Sequence, residues 1–172
     1  MPIYALGDQE PTIDSLAYIH PEAVIIGSVT IGPESSVWPS AVLRGDDGFI
    51  TIGARTSIQD GTVIHTTELT PTTVGDDCTI GHLAHLEGCA IESGSLVGSG
   101  AIVLHRAVVE PGALVAANAV VLADVRVPSG ALAVGTPAKI KEGAANAETL
   151  IMSAQSYVTR GHRFRQELRR ID

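Results

Sequence analysis

Residues 91–121, IESGSLVGSGAIVLHRAVVEPGALVAANAVV, decide the fold. An aliphatic residue returns at every sixth position: Ile91, Val97, Val103, Val109, Val115 and Val121. Four places after each of the first five comes a small residue: Ser95, Ala101, Ala107, Ala113 and Ala119. A helix repeats every 3.6 residues, and the abundance of Gly and β-branched side chains here disfavours one. The six-residue period instead fits a short strand that points one aliphatic side chain inward and then turns tightly past a small residue. Three such strands close a triangular coil, so residues about 18 apart stack at roughly the 4.7–4.9 Å spacing of neighbouring strands.

The frame extends backwards through Val74, Ile80 and Leu86, with one residue missing between Leu86 and Ile91. It continues through Ile52, Ile58 and Ile64, and through Ile19, Ile25, Ile31, Val37 and Leu43, with short insertions between the three runs. Small residues keep pace at Ala23, Ser35, Ala41, Thr56, Cys78, Ala84 and Ala90. The repeat therefore runs from about Ile19 to about Val134, where Gly135 and Pro137 stop it. Hexapeptide repeats of this kind resemble the left-handed parallel β-helix family. The hand comes from that resemblance, because the general crossover rule favours the right hand.

The expected fold is thus all-β, a left-handed parallel β-helix over residues 1–141, followed by a C-terminal α-helix within 142–172. Asn146 is a suitable N-cap, with Glu148 in the first turn. Leu150, Ala154, Tyr157, Gly161, Phe164 and Leu168 form a seam at helical spacing. That seam must bury itself on the β-helix or on a neighbouring subunit.

Composition agrees with a narrow core, since 45% of residues are hydrophobic but only 3% are aromatic. The net charge of −8 leaves no basic stripe for nucleic acid. No apolar run reaches the roughly 18 residues of a membrane span, and no signal peptide is visible. The two cysteines, Cys78 and Cys89, form no CxxC pair and are expected to be reduced. The expected location is cytoplasmic.

The frame also stacks the polar residues. Arg44, His65 and Glu87 directly follow Leu43, Ile64 and Leu86, so they form one outward column, with His85 on the same side. Asp60 and His82 form a second column on the preceding face, beside Gln59. Two imidazoles with a third N or O donor are the makings of a metal site.

The strings LRGD (43–46), IGARTSIQDGTVIH (52–65), VGDDCTIGH (74–82) and GC (88–89) resemble the γ-class carbonic anhydrase family. The resemblance implies a homotrimer with metal sites between subunits, holding Zn²⁺ (or Fe²⁺ or Co²⁺) on three histidines. It implies reversible hydration of CO₂ to bicarbonate, in which the metal lowers the pKa of bound water to about 7. On this match His65 and position 87 are the same-subunit ligands, and His82 reaches across from its neighbour. Gln59 would orient the bound water. Tyr157 would lie near the site, and Arg44, Asp46 and Asp60 would form salt bridges between subunits.

Position 87 departs from the family, which has a third histidine there. Either Glu87 ligates in its place, since His₂Glu is a known zinc set, or His85 supplies the third donor. A carboxylate ligand should make bound water less acidic, so the hydratase is expected to be weak or inactive at pH 7. Two other functions share the coil. One is a hexapeptide-repeat acyltransferase using acyl-CoA, and the other is a non-catalytic metal- or siderophore-binding trimer.

Overall fold

The protein is described by a computed structural model covering residues 2–172. The aliphatic frame becomes three stacked faces of a parallel β-helix of about seven turns. One face stacks Ile19, Val37, Ile58, Ile80, Val97 and Val115. A second stacks Ile25, Leu43, Ile64, Leu86, Val103 and Val121. The third stacks Ile31, Ile52, Val74, Ile91, Val109 and Val127. Every one of these side chains is buried, and together they form a single continuous core. The long strands Val24–Ile31 and Val42–Ile52 pass around the corner between the second and third faces.

The stack begins earlier than the period suggests. Ile3–Tyr4 pairs with Ile25–Ile26, and Thr12–Ile13 pairs with Thr30–Ile31. This first coil covers the open end of the helix, so its outer side chains stay wet and its hydrophobic pattern is diluted. The inward small residue is also fixed differently from the sequence expectation. It stands two places before the next aliphatic, so the five-residue step puts Cys89 inside and leaves Ala90 half-buried.

Several inward corners carry hydroxyls, and each finds a carbonyl one coil on. Ser35 Oγ donates to Gly53 O at 2.6 Å, Thr56 Oγ1 to Gly75 O at 2.7 Å, and Thr62 Oγ1 to Gly81 O at 2.9 Å. Buried hydroxyls are tolerated because they are paired in this way. Both cysteines are free and buried, and burial pushes Cys78 up to about 11 and Cys89 up to about 12. Thiols of that kind are protonated and inert at neutral pH. Iodoacetamide at pH 8 is therefore expected to alkylate neither in the native protein and both after unfolding, as read by mass spectrometry.

The C-terminal helix spans Ala147–Glu167, and Asn146 Oδ1 caps it by accepting from the Thr149 N–H at 3.1 Å. It lies on the first face of the same chain, against Tyr18–Ile19, Ser36–Val37, Ser57–Ile58 and Thr79–Ile80. Leu150, Ala154 and Gly161 are buried there. Trp38 anchors the contact, packing on Tyr157 and Phe164 with ring centroids 5.8 and 5.0 Å away. Its Nε1–H reaches the Ser36 and Ser57 hydroxyls at 2.9 and 3.0 Å. Leu168 does not continue the seam, because the helix has ended and its side chain is exposed. Among the described residues no helix is long and apolar enough to cross a membrane.

Candidate functional site

The second face carries the site. Its strands Val42–Ile52, Val63–His65 and His85–Glu87 pair so that Arg44, His65 and Glu87 are partners in successive coils. Strand alternation turns Leu43, Ile64 and Leu86 inward and these three neighbours outward. His65 lies between two carboxylates. Its Nδ1 is 3.0 Å from Glu87 Oε1, and its Nε2 is 3.0 Å from Asp46 Oδ1. Arg44 pairs with the other Asp46 oxygen. His85 Nε2 approaches Glu87 Oε2 at 3.2 Å.

Electrostatics keep both carboxylates ionised. The His65 hydrogen bond holds the Glu87 carboxyl below the usual carboxylate range, against partial burial and with help from His85. Burial pushes Asp46 up, but its own backbone N–H, His65 and Arg44 outweigh that and hold it low. A neutral imidazole donates from only one nitrogen. Hydrogen bonds to both carboxylates therefore need a proton on each ring nitrogen, or a cation in place of one of them.

The donor set fits a divalent ion. Two ligands on a tetrahedral ion with bonds of about 2.0–2.1 Å lie roughly 3.3 Å apart. The His65–Glu87 separation of 3.0 Å is close to that value. Imidazole and carboxylate are also the donor types that zinc accepts. Within this chain, however, no group of three or more His, Cys, Asp or Glu among the described residues is arranged to hold an ion.

The remaining expected residues occupy other places. His82 and Asp60 form their own column, with Nδ1 2.9 Å from Oδ2, and both are about half exposed. Gln59 is buried at the corner beside them. Tyr157 lies on the helix, half-buried against Trp38 and under the Arg160 guanidinium, 4.7 Å from its ring centroid. Arg44 pairs with Asp46 and Asp60 with His82, both within the chain. His105, which no motif or spacing singles out, has its Nε2 3.8 Å from Glu87 Oε1.

A carbonic anhydrase of Geobacillus kaustophilus is 43% identical over 138 residues, covering 80% of this chain and 76% of that protein. The chain belongs to the γ-class carbonic anhydrase-like family. Gamma carbonic anhydrase 2 of Arabidopsis thaliana mitochondria is 39% identical over 159 residues, which is 88% of this chain but 57% of that protein. The chain thus spans little more than half the length of that plant relative. A hexapeptide transferase family protein of Anaplasma phagocytophilum has the same fold, with a TM-score of 0.91 and 37% identity over 95% of this chain and 98% of that one. No family model matches the chain. In this member of the γ-class carbonic anhydrase-like family, Glu87 stands at the centre of the cluster, with His65, His85 and His105 around its carboxylate.

Proposed function

We propose that the chain is a γ-carbonic anhydrase-like metalloprotein that forms a homotrimer with its metal sites between subunits. The reading rests on one observation: His65 and Glu87 face each other at 3.0 Å in paired strands, at two positions where the family resemblance expects ligands. His82, on the adjacent face, would complete the set from a neighbouring subunit. Zinc suits these donors, and iron or cobalt in the divalent state would accept them too. When bound, the ion would supply an acidified water for attack on CO₂.

The chain's own residues do the rest. His65 and Glu87 hold the ion, and Asp46, steadied by Arg44, accepts from the outer nitrogen of His65. Such a carboxylate–imidazole contact fixes the tautomer and the ring orientation. Gln59 and Tyr157 are assigned to the substrate side, where Gln59 would orient the attacking water. Phe49, Leu69 and Leu83 are exposed. A subunit contact in the proposed trimer would cover apolar groups of this kind. Light scattering should then give about three times 17.8 kDa.

Glu87 places a negative charge where the family has a neutral ring, and an anionic donor makes bound water a weaker acid. Slow CO₂ hydration at pH 7 is the expected stopped-flow result for zinc- or iron-loaded protein, and fast turnover would overturn the proposed weakening. A second reading, transfer of an acyl group from acyl-CoA, is favoured by the likeness to the Anaplasma hexapeptide transferase family protein. Thermal shift separates the two. Stabilisation by zinc and not by acetyl-CoA is expected, and the reverse would favour the transferase.

A further inference from the structure

His105 owes its place to a missing residue. Leu86 pairs with Val103, an offset of 17, whereas Ile91 pairs with Val109, an offset of 18. The coil that follows therefore has one more residue at the corner after Val103 than the coil below has after Leu86. His105 occupies this corner, beside Gly88 and Glu87. The Arg106 N–H donates to Gly88 O at 2.6 Å and pins the two corners together.

Gly88 makes room for the ring. It sits at φ +62°, where a side chain is strained, and a Cβ there would come within 2.9 Å of His105 Cδ2 and 2.4 Å of Thr70 Oγ1. With no side chain at 88, three imidazoles surround one carboxylate. His65 and His105 approach Oε1 at 3.0 and 3.8 Å, and His85 approaches Oε2 at 3.2 Å.

A glutamate needs this support more than a histidine would. It has one more side-chain torsion to immobilise when it ligates, and freezing a long side chain costs rotamer entropy. His85, at hydrogen-bond distance from Oε2, and His105, which at 3.8 Å from Oε1 flanks the carboxylate by packing and charge, not by a hydrogen bond, reduce that loss, as outer-shell groups do for other metal ligands.

We propose that His105, together with His85, is a positioning residue that holds the Glu87 carboxylate in its metal-binding orientation. This inference rests on the metal-site reading above. It predicts that Glu87 serves as a ligand in this chain because two further imidazoles steady it.

The test is Co²⁺ titration of the full chain, followed by calorimetry and by the visible absorption of the bound ion, with thermal midpoints measured alongside. His105→Ala should lower Co²⁺ affinity by about tenfold or more, the usual range for outer-shell partners, and should alter the visible band. His105→Gln, which refills the corner beside Gly88 with a polar side chain of similar reach, should recover most of the affinity, and both variants should melt within a few degrees of wild type. Unchanged affinity and spectrum in His105→Ala, with wild type binding Co²⁺, would overturn this inference and leave the metal site standing. A loss that tracks a lowered melting point and is not rescued by His105→Gln would reduce His105 to a structural role and also overturn it. Wild type that binds no Co²⁺ would remove the metal-site reading itself, and this inference with it.

Discussion

Glu87→His is expected to raise CO₂ hydration at pH 7 by about tenfold in the metal-loaded protein. The change removes one negative charge from the donor set. A shift of one unit in the pKa of bound water changes the hydroxide fraction about tenfold when that pKa lies above the working pH. The fold should accept the ring. Position 87 projects outward from its strand and pairs with His65, so no core volume is disturbed. The variant loses the carboxylate that gathers His65, His85 and His105, which is why the gain is put no higher. Stopped-flow measurement of kcat at matched metal content checks it. A rate equal to or below wild type would show that the glutamate is not what limits hydration.

Leu86→Ala is expected to cost about 2–5 kcal/mol, the range for a large-to-small change at a buried site. Leu86 is fully buried, with Ile64 as its partner in one neighbouring coil and Val103 in the other. In a stacked solenoid each coil is supported only by its neighbours, so the cavity would not be filled from elsewhere. Glu87 is the next residue along the strand, and the loosened coil should weaken metal binding as well. The unfolding midpoint in urea reports the stability change. A loss below about 1 kcal/mol would contradict the close packing described here.

The coil was legible because one inward aliphatic per strand leaves a six-residue signature, visible from Ile19 to Val121. The first coil was not, because Ile3 and Tyr4 lie exposed at its open end and Gly7, Asp8 and Pro11 break the pattern. Cys89, not Ala90, takes the inward corner because the step from Leu86 to Ile91 is one residue short. The inward small residue is set by the aliphatic two places after it, here Ile91. In the site, the columns Arg44–His65–Glu87 and Asp60–His82 followed from the frame, since register alone sets them. The contact of His65 with Asp46 depends on side-chain torsions, which no spacing rule supplies. His105 stayed hidden because it reaches Glu87 only through the one-residue offset between two coils and the bare backbone at Gly88.

Zinc titration by calorimetry, comparing wild type with Glu87→Ala and His85→Ala, tests the central claim most directly. One ion per chain is expected in wild type, three per trimer, with affinity falling about a hundredfold or more in Glu87→Ala and about tenfold in His85→Ala. Full-affinity binding by Glu87→Ala, with binding lost in His85→Ala, would contradict the assignment of Glu87 as the ligand that replaces the family's third histidine.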